Sequence, residues 1–382
     1  MLRSFIHDLI VRHDLYDADV VCFKHGKIVE KHTLYNPNVP VKFDSESLVR
    51  VASISKLFVA VAVMQLKDKG LLKLDDPIDK YYHYPIRNPY FLDIPISIKM
   101  ILTHTSSFQD TDVISIPYGE TLFELFHPKG KYYTQKMVLK IEDKPVKPGT
   151  KYHYYNTGFQ LLAGMIETIS GERFDHYIEN HILKPLAMKG SFNPNNATVR
   201  SRLKPTYRKI NQTWKPQIDD EITFTDIKSY TLGTNGSLFS PQGGLRSNAD
   251  ELSHFMAFLM LGDDHILSQS SVIDMMSLQF PVEKNETDDE FCRNNGLGFN
   301  IITENYFNRP IQDMPYTLVG HCGIAYGCLG IFFLDPLSKN GLIFITRGHG
   351  KPLSEYHGQY STYFNFQEEI LTYVDQHIWR TS

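Results

Sequence analysis

The order of hydrophobic patterns along the chain predicts an α/β (α+β) fold: one antiparallel sheet built from both termini, with flanking helices and a mainly helical insertion. Three observations carry this. Strand-like runs stand at both ends of the sequence, helical periodicity dominates between them, and the strand-like runs are joined by connections short enough for antiparallel neighbours. All of 1–382 reads as a single domain, with 1–73 and 231–382 holding the sheet and 74–230 forming the mainly helical part.

The first segment, MLRSFIHDLIVRHDLYDADVVCF, is broken by Asp8, Arg12, His13 and Asp14, so it reads as an amphipathic surface helix and not as a signal peptide. In DVVCFKHGKIVEKHTLY, two β-rich runs flank His25-Gly26-Lys27, a hairpin signal. The stretch VRVASISKLFVAVAVMQLKDKGLL then carries Leu57, Ala60, Val61 and Met64 at helical spacing, until Lys67 to Lys69 and Gly70 close it. It is apolar nearly all round, as a buried central helix would be. From Leu74 to Tyr230, helical patterns such as GFQLLAGMIETISG and FDHYIENHILKPLAM alternate with Pro- and Asn-rich loops. Strand patterns return in YTLVGHCG, YGCLGIFFLDP and GLIFITRGH, with DPLSKN as the turn between the last two. A closing amphipathic helix is expected at YFNFQEEILTYVDQHIW.

With 382 residues, 42% hydrophobic and 21% charged, the chain can bury a substantial core. A net charge of −4 speaks against nucleic acid or an anionic membrane as partner and leaves a small-molecule substrate. The longest apolar run, Leu57 to Met64, is too short to span a bilayer, so no membrane partner and a cytoplasmic location are expected. Cys22, Cys292, Cys322 and Cys328 are irregularly spaced, and no Cys/His grouping has zinc-ligand spacing; the expectation is free thiols, no metal and no cofactor.

Ser53 and Lys56, three residues apart at the start of the central helix, share one helical face. Burial strips water from an ammonium and lowers its pKa from the ordinary value of about 10.4, which makes a general base beside a hydroxyl nucleophile. The alternative reading is a plain N-cap serine with the lysine reaching to solvent. Ser-x-x-Lys is also a cheap pattern, repeated at Ser201 and Lys204 in the polar stretch VRSRLKPTY.

Two further motifs follow in order, Tyr154-Tyr155-Asn156 and His321-Cys322-Gly323. Together with Ser53-Ile54-Ser55-Lys56 they resemble the Ser-x-x-Lys, Tyr-x-Asn and Lys/His-x-Gly motifs of the serine β-lactamase and penicillin-binding-protein superfamily, in particular class C β-lactamase-related, D-aminopeptidase and family VIII esterase-like proteins. Tyr-x-Asn alone is weak, since it recurs at Tyr306 to Asn308 and Tyr363 to Asn365. The surrounding strings KPGTKYHYYNTGFQLLAGMIETISG, IKMILTHTSSF and PQGGLRSNADELSHFMAFLM resemble the family's own, so the likeness covers most of Leu48 to Ile345. There are three departures: Ser107 stands for a usual glycine, Tyr155 for a usual small serine, and His321 for the lysine of lactamases and many penicillin-binding proteins. Tyr155 either crowds the site wall or points away from it.

The resemblance implies a β-lactamase-like fold and roles for named residues. Ser53 would attack a carbonyl carbon, with Lys56 taking its proton. Tyr154 would relay a proton to the leaving group, and Asn156 would orient Lys56 and a substrate amide. Gly323 would let substrate approach closely, and the backbone N–H of Ile324 would complete an oxyanion hole with that of Ser53. His321 would face the substrate's polar end and hold a carboxylate less firmly than lysine. Strand alternation points Cys322 away from that face, and His104 in THTSS reads as structural. The reading that follows is a serine hydrolase acting through a Ser53 acyl-enzyme on an ester, amide or small D-amino-acid peptide. The alternatives are a β-lactamase or D,D-carboxypeptidase, and a catalytically weak binding or sensor protein of the same fold, which Tyr155 keeps open.

Overall fold

The structure, a computed structural model, describes residues 1–220, 227, 229–283 and 294–381. Helix α1 (Leu2–Arg12) leads into β1 (Asp17–Lys24) and β2 (Lys27–Tyr35), joined by the hairpin foreseen at His25 and Gly26. Both turn residues have positive φ, 50° and 75°, which matches the twist of the flanking strands. The short strand β3 (Val49–Arg50) precedes α2 (Ser55–Asp68), whose residues from Ser55 to Leu66 are all buried. Gly70, at φ 70°, terminates it as the sequence predicts.

The middle of the chain contributes α3 (Ile98–Leu102), α4 (Phe123–Phe126), α5 (Gly158–Ser170), α6 (Phe174–Ile178) and α7 (Ala197–Arg202). It also holds two hairpins that the helical patterns do not announce: β4 (Lys140–Ile141) with β5 (Lys144–Pro145), and β6 (Thr206–Ile210) with β7 (Thr213–Ile218). The remaining elements are β8 (Arg246–Ser247), α8 (Ala249–Leu261), α9 (Gln269–Met276), β9 (Asn294–Asn295), β10 (Asn300–Ile302), β11 (Leu318–Ala325), β12 (Cys328–Asp335), β13 (Asn340–Thr346), β14 (Gly348–His349) and α10 (Asn365–Val374).

The main sheet has the order β2-β1-β13-β12-β11-β10-β9, and each of its pairings is antiparallel. N-terminal β1 lies directly against C-terminal β13, so the sheet is built from both termini as expected. Side chains alternate across it. Val21, Phe332 and Ile343 join the core formed with α2, α5 and α8, whereas Val20, Ile331 and Leu342 join a second core under α1 and α10. The result is three layers, helix on sheet on helix, with α2 buried in the inner one. Among the described residues, no helix is long and apolar enough to cross a membrane. Cys22, Cys322 and Cys328 are buried and outside any disulfide; Cys292 lies outside the described residues.

Candidate active site

The chain between β3 and α2 makes an abrupt turn. Ala52 has a φ of +50°, a left-handed conformation that costs a residue with a Cβ about 1–3 kcal/mol, and it opens a 3₁₀ turn, Ala52–Ile54. Ser53 therefore sits in the turn just ahead of α2 and not on the helix itself. Its neighbour Ser55 holds the turn: the Ser55 hydroxyl donates to Ala52 O at 2.6 Å and accepts from the Leu245 N–H at 3.0 Å. Strand β11 closes against the same turn, and Gly323 is what allows it, since a Cβ there would lie 2.5 Å from Val51 O.

Lys56 is fully buried. Its ammonium has three protons and finds three acceptors: Ser53 Oγ at 3.0 Å, Asn156 Oδ1 at 2.8 Å and the carbonyl of Gln242 at 2.8 Å. Burial nevertheless lowers its pKa to about 7, against a smaller opposing pull from Asp110. Near neutral pH a large fraction is thus a free amine, whose lone pair can accept the Ser53 hydroxyl proton. The Tyr154 ring lies 4.9 Å from Nζ.

Asn156 is aimed by a residue the motifs do not include. Asp110 accepts from the Asn156 N–H and side-chain amide through one oxygen (3.0 and 2.8 Å), and from the Thr157 N–H and hydroxyl through the other (2.9 and 2.7 Å). This caps the start of α5 and turns the Asn156 carbonyl oxygen toward Lys56. The available cue was the uncapped Asn-Thr-Gly helix start, which needs an acceptor from elsewhere. His104, at φ 56°, is buried beneath Tyr154, with ring centroids 4.6 Å apart, and its Nδ1 accepts the Tyr155 N–H at 3.1 Å. That bond requires a bare Nδ1, and burial holds the His104 pKa well below its ordinary value. The histidine is a structural prop for the Tyr-x-Asn turn.

Two of the departures from the family pattern are explained by geometry. Ser107 has φ 65°, the region glycine favours, and its hydroxyl is tied down by Asn88 at 2.9 Å. Tyr155 is buried in the inner core near Phe108, over Gly158, where a Cβ would meet its ring at 2.9 Å; it points away from the cleft.

On the opposite wall, β10 pairs with β11 only over Leu318 to Gly320, which leaves His321 to Ala325 to face the nucleophile turn. His321 is buried, with its ring centroid 6.0 Å from that of Tyr154, while the Cys322 side chain packs into the outer core. Ser53, Tyr154, Asn156, His321 and Ile324 line one cavity of about 500 Å³. Of the residues singled out in the sequence, Ser53, Lys56, Tyr154 and Asn156 come together directly, and His321 and Ile324 border the same cavity. Gly323 has a packing role behind it. The repeated patterns lie elsewhere: Ser201 is exposed on α7, and Tyr306 and Tyr363 belong to the outer core. The Gln242 carbonyl, Ser55 and Asp110 were not foreseen.

A serine in a strained turn ahead of a buried helix, with a buried lysine one turn on and an antiparallel sheet strand across the cleft, defines the β-lactamase and penicillin-binding-protein fold. The chain belongs to the Beta-lactamase family, whose model matches residues 2–360. It is 31% identical over 172 residues to the D-alanyl-D-alanine-carboxypeptidase/endopeptidase AmpH of Escherichia coli (strain K12), a match spanning 45% of this chain and 43% of that one. It is 26% identical over 190 residues to Protein flp of Staphylococcus aureus (strain MW2), spanning 48% and 36%. The match thus spans less than half the length of these curated relatives. Among solved structures, the octameric penicillin-binding protein homologue from Pyrococcus abyssi superposes with a TM-score of 0.69 at 23% identity, over 92% of this chain and 74% of that one. The D-amino acid amidase from Ochrobactrum anthropi SV3 does so with a TM-score of 0.67 at 18% identity, over 98% of each. These likenesses establish the fold.

Proposed function

We propose that this chain is a serine hydrolase that works through an acyl-enzyme on Ser53, with an ester, an amide or a small D-amino-acid peptide as substrate. The observation that carries this is the buried Lys56 amine, 3.0 Å from Ser53 Oγ and brought by burial to a pKa of about 7. In the reaction, Ser53 Oγ attacks the carbonyl carbon as its proton passes to Lys56 Nζ. The oxyanion is held by the N–H groups of Ser53 and Ile324, a donor pair of which each member is worth about a hundred- to a thousand-fold in rate. As the bond to the leaving group breaks, Tyr154 passes it a proton, and water then releases the acyl group by the reverse relay. The names of the relatives, a D-alanyl-D-alanine-carboxypeptidase/endopeptidase and a D-amino acid amidase, favour an amide substrate containing a D-amino acid. The feature that kept a weakly catalytic sensor in view was Tyr155, and its ring is in the core and not in the cleft.

A fluorophosphonate probe followed by intact-mass analysis tests the assignment. Wild type should gain one adduct and Ser53→Ala none, with the variant still folded, since a single hydroxyl at a helix start contributes about 1 kcal/mol. Hydrolysis of a short-chain ester by Ser53→Ala at more than about a tenth of the wild-type rate would overturn it, given the size of effect expected for a nucleophile. Lys56→Arg keeps the charge but cannot deprotonate, and should lose at least about a hundred-fold in kcat/KM.

A further inference from the structure

We propose that the outer wall of the cleft is an anion subsite, in which Arg50 and Arg208 hold a carboxylate carried by the substrate away from the scissile bond. The proposal deepens the hydrolase reading and rests on Ser53 being the nucleophile. Both arginines line the cavity that contains Ser53, and no Asp or Glu is among the described residues lining it. In a chain of net charge −4, two cations and no anion stand among the described residues of this cavity wall.

Neither guanidinium has a hydrogen bond or an ion pair among the described residues, and in each the Nε is buried without a partner. The contrast with Arg246 is informative. Arg246 faces Arg50 across the β3–β8 pair and is fully engaged, with Asp219 at 2.8 and 3.1 Å and the carbonyls of Phe192 and Gly244 at 2.9 and 2.8 Å. The Asp219 hydrogen bonds are thereby committed to Arg246, and Asp219 reaches Arg50 only through space, without a hydrogen bond or ion pair to it. Burial pulls the Arg50 pKa down to about 10, with a further push from Arg246, as expected for a cation short of a counter-charge. Its guanidinium lies over the Tyr326 ring at 5.5 Å, which supports one face and leaves the edges to donate.

The two side chains are also held by firm backbone. Arg208 comes from β6, which pairs with β7 on one side and β14 on the other. The β11–β12 turn that carries Tyr326 rests on the same strand: Thr206 donates to the Tyr326 carbonyl, and Gly327 passes so close that a Cβ would lie 2.3 Å from Tyr207 O. In each arginine the buried Nε lacks a partner while the side chain as a whole is only partly buried, and a carboxylate that accepts from the forks relieves the cost of that unpaired donor. The cation that reads an anionic substrate is thus supplied from β3 and β6, in a chain whose third motif, on β11, carries His321 in place of lysine.

The test uses two pairs of esters: nitrophenyl hemiglutarate against its methyl-capped twin, with the carboxylate on the acyl half, and carboxynitrophenyl butyrate against nitrophenyl butyrate, with it on the leaving group. Wild type should prefer the anionic member of at least one pair. Arg50→Gln and Arg208→Gln should each lower that anionic-to-neutral ratio of kcat/KM by about ten- to a hundred-fold, mainly through KM, the range for a hydrogen bond to a charged group. Exposed Arg200→Gln should leave the ratio as it is. If Arg50→Gln fails to fold, Arg208→Gln decides. A folded Arg208→Gln that is labelled at Ser53 yet keeps the wild-type ratio overturns the subsite. If no ester is turned over and Ser53 takes no label, the hydrolase reading fails instead, and calorimetry with glutarate decides the subsite alone. Binding to wild type that weakens in Arg208→Gln supports it, and an absence of binding, or binding of inorganic phosphate in preference to glutarate, overturns it.

Discussion

At the scale of the residue, the behaviour of Lys56 is set by two opposed influences, burial lowering its pKa and Asp110 raising it. The proposed chemistry needs the neutral amine, so kcat/KM should be present above pH 7 and fall on an acidic limb as pH drops through about 7. Asp110→Asn removes the opposing charge, and the limb should move to lower pH. The same change replaces an acceptor of four hydrogen bonds by a group that must turn an NH₂ toward donors, so Asn156 loses its aim and kcat should fall about tenfold or more. A pH–rate profile of the variant reads both effects, and an unshifted limb would show that Asp110 only props the loop. Ser53 and Lys56 were legible because short covalent spacing fixes what faces what, whereas Asn156, which meets Lys56 across 100 residues, was legible only through the resemblance of its motif and surrounding string to the family's own. Asp110 was not, because it meets Asn156 across 46 residues, nor was the Gln242 carbonyl, which meets Lys56 across 186. Contacts of that kind arise only when elements dock.

Elements impose their own constraints on the site, and glycines and aromatics mark where they bind. Gly323→Ala would force β11 away from the nucleophile turn, because Val51 O stands 2.5 Å from the new Cβ and backbone cannot yield as a side-chain tip can. The expected cost is about 1–3 kcal/mol of stability, with a larger loss of kcat from the displaced strand; parallel melting and kinetic measurements would separate the two. Tyr155→Ser restores the small residue usual in the family, yet it should not tune specificity, because the ring lies in the core against Phe108 and Gly158. It should instead leave a cavity costing about 3–5 kcal/mol in urea unfolding, as large-to-small core changes do. The direction of Tyr155 depends on the backbone of the turn before α5, which no residue pattern specifies. The strands of the main sheet were readable from alternation and turn residues. The β6–β7 hairpin was not, because its strands are short, Pro216 interrupts one of them, and its turn uses Asn211 and Gln212 at φ 50° and 62° in place of a glycine pair.

For the whole molecule, the decisive contact is the one that joins the two ends of the chain. Its pairing of β1 with β13 was foreseen only as a sheet built from both termini, since neither strand's sequence names its partner. At one end of that pairing lies a buried charge cluster. Arg347 Nε meets Asp17 Oδ2 at 2.9 Å, close but without hydrogen-bond alignment, and Arg347 Nη2 stands 3.6 Å from Asp19. Asp17 also accepts the Arg347 N–H at 2.7 Å, and Asp19 caps the first N–H of α8 at 3.0 Å, so the cluster ties both terminal strands to the inner helix layer. Burial raises the Asp17 pKa to about 6 even with Arg347 opposing it. The folded chain therefore holds a proton that the unfolded chain releases, and the stability this group contributes declines as pH rises from about 4 to about 6. Arg347→Met removes the opposing charge, pushes that pKa higher and extends the decline to higher pH. The variant should lose about 3–5 kcal/mol, the cost of an uncompensated buried charge, and should lose more at pH 8 than at pH 5 by urea unfolding. Adding Asp17→Asn should recover part of the deficit and flatten its pH dependence, whereas an equal loss at both pH values in the single variant would mean that the guanidinium serves as packing against Phe43, 4.8 Å away, and not as a counter-charge.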